Sequence, residues 1–195
     1  MKTASLKILS LLLTLLLITA CQSETKTADP KPNATKPAET MGPAPTKTAA
    51  DFTFDGKSFQ GVAPGMAIET LKKKFVAGEI KGPEGIYQVY FFKDGNGRTL
   101  GYFFHDPTAY ENVGDLVIIS PDVKTPAGIH VGMSYGDFQK LGLDYEAHGS
   151  ETESRTYLTM GQLNLRLDYP SNKYDLDKAS IPNSNLIIEM IVRRN

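Results

Sequence analysis

The hydrophobic and polar positions of the chain divide it into three stretches of different character. Residues 8–18 form an apolar run behind the basic residues Lys2 and Lys7, whereas residues 22–50 are rich in proline and contain hardly any large apolar side chain. From residue 51 onward, apolar and polar positions alternate as they do in globular domains. A short apolar run behind a basic head is typical of a secretory signal, and polar, proline-rich segments lack the apolar surface needed to fold. We therefore predict a signal peptide over residues 1–20, a disordered tether over 21–50 and a single globular domain over 51–195.

One short motif occurs twice within the predicted domain. The segment Gly61-Val62-Ala63-Pro64-Gly65-Met66 recurs as Gly128-Ile129-His130-Val131-Gly132-Met133. Apolar residues at helical spacing follow each copy, namely Ile68, Leu71 and Phe75 in the first and Tyr135, Phe138 and Leu141 in the second. Ser134 and Asp137 also have the spacing of a helix capping box. The pattern predicts a helix after each motif and an internal repeat, with repeat 1 over about residues 58–122 and repeat 2 over about 125–195.

Alternating apolar and polar residues predict strands after each helix. In the first repeat, residues 86–93 and 98–104 flank the hairpin signal Asp94-Gly95-Asn96-Gly97, and residues 116–120 form a third strand. In the second repeat the predicted strands are residues 155–160, 163–169 and 186–193. The sequence thus predicts an α+β fold, in which a helix plus an antiparallel three-strand meander is duplicated in tandem and the helices pack on one face of an antiparallel sheet.

Cys21 is the only cysteine of the chain and directly follows Ile18-Thr19-Ala20. This ending of the signal sequence resembles a bacterial lipobox. The resemblance implies cleavage before Cys21, a diacylglycerol on its thiol and acylation of the new N-terminus with a palmitate-type chain, which together hold a protein stably on a membrane. Gln22 follows Cys21, and under the sorting rule of enteric bacteria glutamine at this position directs a lipoprotein to the outer membrane. We therefore expect an outer-membrane lipid anchor, with the domain facing the periplasm; the alternative is an ordinary secreted protein with a cysteine near its cleavage site.

The repeated motif and the strands after it resemble small modules of the bacterial envelope. Each repeat is similar to modules of the outer-membrane assembly lipoprotein (SmpA/OmlA) type and of the beta-lactamase-inhibitor-protein type, and the tandem arrangement is similar to the latter. The segment from Gly128 to Phe138 and the final Ile191-Val192-Arg193-Arg194 resemble the sigma-E-regulated lipoprotein family, a domain of unknown function. That resemblance implies an envelope location and a link to envelope stress, and it brings no catalytic residues. Members of that family carry a cysteine pair in the second half of the domain, which this chain lacks.

The charge of the chain argues against nucleic acid as a partner. Its formal net charge is −1, and loss of the signal peptide removes Lys2 and Lys7 without removing any acidic residue. Binding to nucleic acid requires a positively charged surface. The runs Lys72-Lys73-Lys74 and Arg193-Arg194 are short, and the lysine run is typical of a solvated helix face.

The sequence carries no recognisable constellation of catalytic or metal-binding residues. None of the three histidines, His105, His130 and His148, stands at metal-ligand spacing from another ligand. His105 directly follows a predicted strand, which favours a role in a turn. The segment from Asp94 to Gly97 lacks the later acidic ligands of a calcium loop and is better interpreted as a tight turn. We predict no catalytic residue, no metal site and no cofactor, so the chain is not expected to be an enzyme.

Aromatic side chains crowd the hairpin of the first repeat. Because successive strand residues point to opposite faces, both faces of this hairpin carry aromatic rings, and one face needs a cover or a partner. The candidate interaction surface consists of Tyr87, Tyr90, Phe92, Tyr102 and Phe104. The alternative is that loop 105–115 or the second repeat covers these rings.

These patterns together predict a non-enzymatic envelope lipoprotein whose domain binds an envelope protein or another envelope component. The second hypothesis is an inhibitory or small-ligand-binding periplasmic module that uses a concave sheet, and a deep groove between the two repeats would favour it. An enzyme built around His105 or Asp115 ranks third.

Overall fold

The computed structural model describes residues 52–82 and 84–194 of the chain. The predicted signal peptide, Cys21 and the tether lie outside these residues. The described residues form eight strands: β1 (Val76–Gly82), β2 (Gly85–Lys93), β3 (Thr99–His105), β4 (Val113–Ile118), β5 (Glu146–Gly149), β6 (Thr156–Met160), β7 (Leu163–Leu167) and β8 (Ile187–Val192). All of them belong to one antiparallel sheet with the order β1-β2-β3-β4-β8-β7-β6-β5. Helical structure in this part of the chain comprises α1 (Tyr135–Gln139) and short 3-10 turns, among them Ile68–Thr70 and Lys178–Ser180.

The predicted α+β class is wrong, because the two predicted helices are too short to form a layer on the sheet. In the first repeat the apolar positions at helical spacing are buried, but only Ile68–Thr70 is helical and its N-cap residue, Ala67, makes no side-chain capping bond. In the second repeat Ser134 does cap α1, since its hydroxyl accepts a hydrogen bond from the amide of Asp137. The chain reaches Gly142 in the left-handed region, φ +66°, soon after α1. Helix nucleation is unfavourable for short segments, and neither repeat forms a longer helix. Tyr135 and Phe138 are buried, whereas Leu141 is exposed.

Each half contains four strands, one more than the three predicted. The additional strands, β1 and β5, are the two edges of the sheet. No residue of β1 is buried, and β5 has only four residues. An edge strand of this kind lacks the alternation of buried and exposed positions by which strands are recognised in a sequence.

The two Gly-Met turns are attached to the sheet in the same way. In each half, the amide of the turn glycine donates to the carbonyl of the first residue of the fourth strand, and the amide of that residue donates to the methionine carbonyl. These bonds measure 2.7 and 2.8 Å among Gly65, Val113 and Met66, and 2.7 and 2.9 Å among Gly132, Ile187 and Met133. Both turn glycines have φ values that favour glycine, +84° and +87°. Since the equivalent strands β4 and β8 pair antiparallel, an approximate two-fold axis between them relates the halves.

The hydrophobic core lies on one face of the sheet and is continuous across both halves. Phe92 and Phe103 contribute to it from the first half, and Leu165 and Met190 from the second. The segments that contain the two Gly-Met turns cover this face with buried residues, among them Phe54, Phe59, Tyr135 and Phe138. A smaller cluster of Val117, Tyr157 and Ile191 lies apart from this core, with Tyr102 and Phe104 packed against it. The core therefore occupies one face, and the opposite face, called here the outer face, remains for other roles.

Candidate functional site

The outer face of the sheet carries a groove of about 530 Å³ that is lined by residues of both halves. Its floor is formed by Val117, Tyr157 and Ile191, which are 3–7% exposed. Alternation along the strands explains this placement, because each floor residue lies between neighbours that point into the core. This groove is called here the outer groove.

The wall of the outer groove in the first half is aromatic. The rings of Tyr102 and Phe104 meet edge to face at 5.4 Å, and those of Tyr87 and Phe104 meet at 6.0 Å. A glycine on the neighbouring edge strand makes room for these rings, because a Cβ added to Gly82 would lie 2.7 Å from the ring of Tyr87. Burial, assisted by the negative charge of Glu189, raises the pKa of Tyr102 to about 12. The phenol of Tyr102 therefore stays protonated at neutral pH and can donate a hydrogen bond into the groove.

The wall in the second half is ionic. Arg166 and Glu189 lie opposite each other on β7 and β8 and form a two-pronged ion pair, in which Arg166 Nε lies 2.8 Å from Glu189 Oε2 and Arg166 Nη2 donates a hydrogen bond of 3.1 Å to Glu189 Oε1. Their side chains are only 24% and 20% exposed, so solvent screens this pair less than a surface pair. Arg155 pairs with Glu153 at 3.1 Å. These pairs hold their charged groups in fixed positions and leave further donors and acceptors for a ligand.

Asp115, a carboxylate at the end of the groove, forms no ion pair with an arginine side chain among the described residues. Asp115 on β4 accepts a hydrogen bond of 3.2 Å from the backbone amide of Arg194. Burial raises the pKa of Asp115, although this hydrogen bond and the positive charge of Arg193 act in the opposite direction. The guanidinium of Arg193 lies 4.9 Å from the centre of the Tyr157 ring, a cation–π contact on the groove floor.

The five predicted interaction residues are divided between the two faces of the sheet. Tyr87, Tyr102 and Phe104 line the outer groove. Phe92 is completely buried in the core, and Tyr90 stacks on the core residue Phe103 at 5.2 Å. The structure therefore brings together three of the five residues and places the other two on the opposite face.

Sequence reasoning missed the ionic half of the groove. Arg166 lies between Leu165 and Leu167 in an alternating strand, and that alternation did predict a sheet with one wet face. The pairing of Arg166 with Glu189 depends on the register between two strands that are far apart in sequence. No short-range signal in the sequence gives that register.

The three histidines are held by local contacts in separate places. The ring of His105 stacks on Tyr110 at 3.9 Å, and its Nδ1 lies 2.7 Å from the carbonyl oxygen of Tyr110. His130 Nδ1 lies 2.8 Å from the carbonyl of Gly128, and His148 Nε2 lies 2.9 Å from the Thr159 hydroxyl. Over residues 52–82 and 84–194, no group of three or more His, Cys, Asp or Glu is arranged to hold a metal ion. Nor does that part of the chain contain a helix of the length and apolarity needed to cross a membrane.

Comparison with known proteins leaves the function open. No protein-family model matches the chain, and no curated protein matches it either. Among solved structures, the chain is similar to the uncharacterized protein yfeY from Escherichia coli, with a TM-score of 0.43 and 7% identity over 73% of this chain and 99% of that chain. A likeness of this degree carries no argument about function. The family resemblances drawn from the sequence stay predictions.

Proposed function

We propose that this protein is a non-enzymatic lipoprotein of the bacterial outer membrane, anchored through Cys21, whose outer groove binds an exposed segment of an envelope protein. The observation that carries the proposal is the make-up of the groove, in which an aromatic wall from one half faces an ionic wall from the other across an apolar floor. Tyrosine and arginine are the residues most enriched where proteins bind each other. An apolar floor surrounded by polar groups is also the usual arrangement of a protein interface.

The charges of the groove favour a partner segment without strong net charge. Four basic residues line it, and four acidic residues balance them: Lys81, Arg155, Arg166 and Arg193 against Glu84, Asp115, Glu153 and Glu189. A groove balanced in this way has no strong field with which to attract a polyanion or a polycation. Binding should therefore depend on shape and hydrogen bonds and respond only weakly to salt.

A small-ligand or inhibitory periplasmic module is the second candidate, because the groove lies between the two halves and its volume of about 530 Å³ falls in the range of ligand sites. Sites for small molecules, however, are lined mainly by apolar side chains. Half of the residues that line this groove are charged, which favours a protein partner.

The experiment is photo-crosslinking in living cells, with a photoreactive amino acid at Tyr102 in the groove. The matched control carries the same group at Tyr90, which lies one strand away on the opposite face of the sheet. We expect Tyr102 to trap one identifiable envelope protein that Tyr90 does not trap. The yield should fall in a Cys21→Ser form, which cannot be lipidated.

The proposal would be contradicted if the two positions gave the same crosslinked products, or if the groups crosslinked only to other residues of the same chain. Native mass spectrometry of the purified protein then separates the second candidate, since a small molecule retained in the groove would appear as a defined mass increment. That increment should disappear in a Tyr102→Ala variant.

A further inference from the structure

The two edges of the sheet are equivalent strands in very different surroundings. The edge of β5 is covered, because the amide of Gly149 donates to the carbonyl of Lys173 at 2.9 Å and a Cβ added to Gly149 would lie 2.6 Å from the carbonyl oxygen of Ser171. The covering segment belongs to the connection over residues 168–186, which is much longer than the equivalent connection over residues 106–112 in the first half. The second half thus protects its edge with chain that the first half does not have.

The edge of β1 is open within the described part of the chain. There β1 pairs with β2 on one side only, and none of its residues is buried. Because antiparallel ladders alternate in their hydrogen bonding, the amide and carbonyl of every second residue of β1 point away from β2. A row of such groups is a template for pairing with a further strand.

We propose that β1 is a self-association edge, at which two copies of the chain pair antiparallel around a two-fold axis at Ile80. In this register Glu79 of each copy lies opposite Lys81 of the other, so the same two residues form two opposite-charge pairs. Ile80 meets its own counterpart at the axis, where it provides an apolar contact. The charge pattern of β1 is therefore complementary to itself, which favours a second copy over an unrelated strand.

The face of β1 that carries Ile80 leaves room for this pairing of two copies. In the proposed register Gly78 lies opposite Gly82 of the other copy, so no side chains collide beside the axis. The space above these glycines is taken by rings of the same chain, since an added Cβ would lie 2.6 Å from the Phe91 ring at Gly78 and 2.7 Å from the Tyr87 ring at Gly82. One pair of strands buries less than the roughly 1,200–2,000 Å² of a stable interface. We therefore expect a dimer that dissociates on dilution.

Sedimentation velocity over a concentration series tests this proposal on the mature chain with Cys21→Ser, which removes the lipid. We expect a reversible monomer–dimer equilibrium. Lys81→Glu and Glu79→Lys should each weaken it by about tenfold, because each places like charges opposite each other at two symmetric points. The double exchange, with both substitutions in one chain, restores the opposite-charge pairs and should restore the dimer.

Lys173→Glu is the control for Lys81→Glu, because it makes the same change in net charge at an exposed position beside β5, at the opposite edge of the sheet, and should leave the equilibrium unchanged. A chain that stays monomeric at every concentration would overturn the proposal, whether its edge is covered by its own N-terminal residues or by another protein. A dimer that neither single reversal weakens, or that the double exchange fails to restore, would overturn it as well. Circular dichroism of each variant separates a lost dimer from a lost fold.

Discussion

The two halves of the sheet share one backbone arrangement and differ in what they present on the outer face. Each half begins with a Gly-Met turn bonded to the first residue of its fourth strand, and each continues as a four-stranded meander. On the outer face, however, the first half presents aromatic rings and the second half presents ion pairs. The shared features are those that folding requires. The features that differ face the groove, where packing of the core does not decide which residues fit.

Two equivalent carboxylates show this difference most directly. Asp115 and Glu189 are each the third residue of the fourth strand of their half. Glu189 has Arg166 across from it on β7, whereas β3 offers Asp115 no arginine or lysine. Equivalent backbone positions therefore place one carboxylate in a half-buried ion pair and the other beside aromatic rings.

The largest expected losses of stability come from substitutions in the core, and they test whether the two halves share it equally. Phe103→Ala in the first half and Leu165→Ala in the second each remove a completely buried side chain. We expect each to lower the free energy of unfolding by about 2–5 kcal/mol. Urea unfolding followed by circular dichroism measures this loss. Since one sheet and one core join the halves, each variant should still unfold in a single transition.

Phe104→Ala is the control for that experiment, because Phe104 neighbours Phe103 on the same strand but points to the outer face. Its loss should reduce stability by less than the loss of Phe103 does. Two separate unfolding transitions would show that the halves unfold independently, and equal losses of stability at Phe103 and Phe104 would show that the two faces of the sheet contribute equally.

The sequence was sufficient to locate most of the sheet, because its strands carry strong local signals. The Asp94–Gly97 turn between β2 and β3 and the alternation from Leu163 to Leu167 are both present in the structure. The helices were over-predicted, since apolar residues at helical spacing are equally well buried in a turn that packs on a sheet. Ile68, Leu71 and Phe75 are buried without a helix that joins them.

The groove could be predicted only in part. The sequence identifies the aromatic residues of the hairpin, and alternation divides them between two faces, but it does not show which of the two faces carries the core. Phe92 and Tyr102 have the same kind of local sequence, and only the turns packed over Phe92 distinguish them. The ion pair of Arg166 and Glu189 depends on the register of distant strands, which local patterns do not carry.

The next largest change in the free energy of unfolding should come from substitutions in the ionic wall of the second half. Arg166→Gln or Glu189→Gln alone leaves a half-buried charge without its partner, and we expect a loss of about 1–3 kcal/mol in the free energy of unfolding. The double variant should lose less than the sum of the two single losses, because it leaves no charge unpaired. A double-mutant cycle by urea unfolding measures this coupling. Strict additivity would mean that the two side chains do not act as a pair.

The smallest expected change in the free energy of unfolding concerns Asp115. Removing its charge should stabilise the fold, whereas removing the charge of the equivalent Glu189 should destabilise it. Burial raises the pKa of Asp115 above its usual value of 3.8, so the folded state holds the proton more tightly than the unfolded state does. Stability from this group is therefore fully present below about pH 3.8 and is lost as the pH rises through the folded pKa. Asp115→Asn removes that loss, so the variant should be more stable than the natural protein at pH 7.

Urea unfolding of the Asp115→Asn variant and the natural protein at pH 7 and at about pH 3.5 gives the test, with the advantage of the variant disappearing at the lower pH. Asparagine keeps an oxygen that can accept the hydrogen bond from the Arg194 amide, so the comparison isolates the charge. If the variant is instead less stable at pH 7, then Asp115 is stabilised by its basic neighbours as Glu189 is by Arg166. Both carboxylates would then stabilise the fold at pH 7, so the contrast between the aromatic and the ionic wall would not be accompanied by a difference in stability.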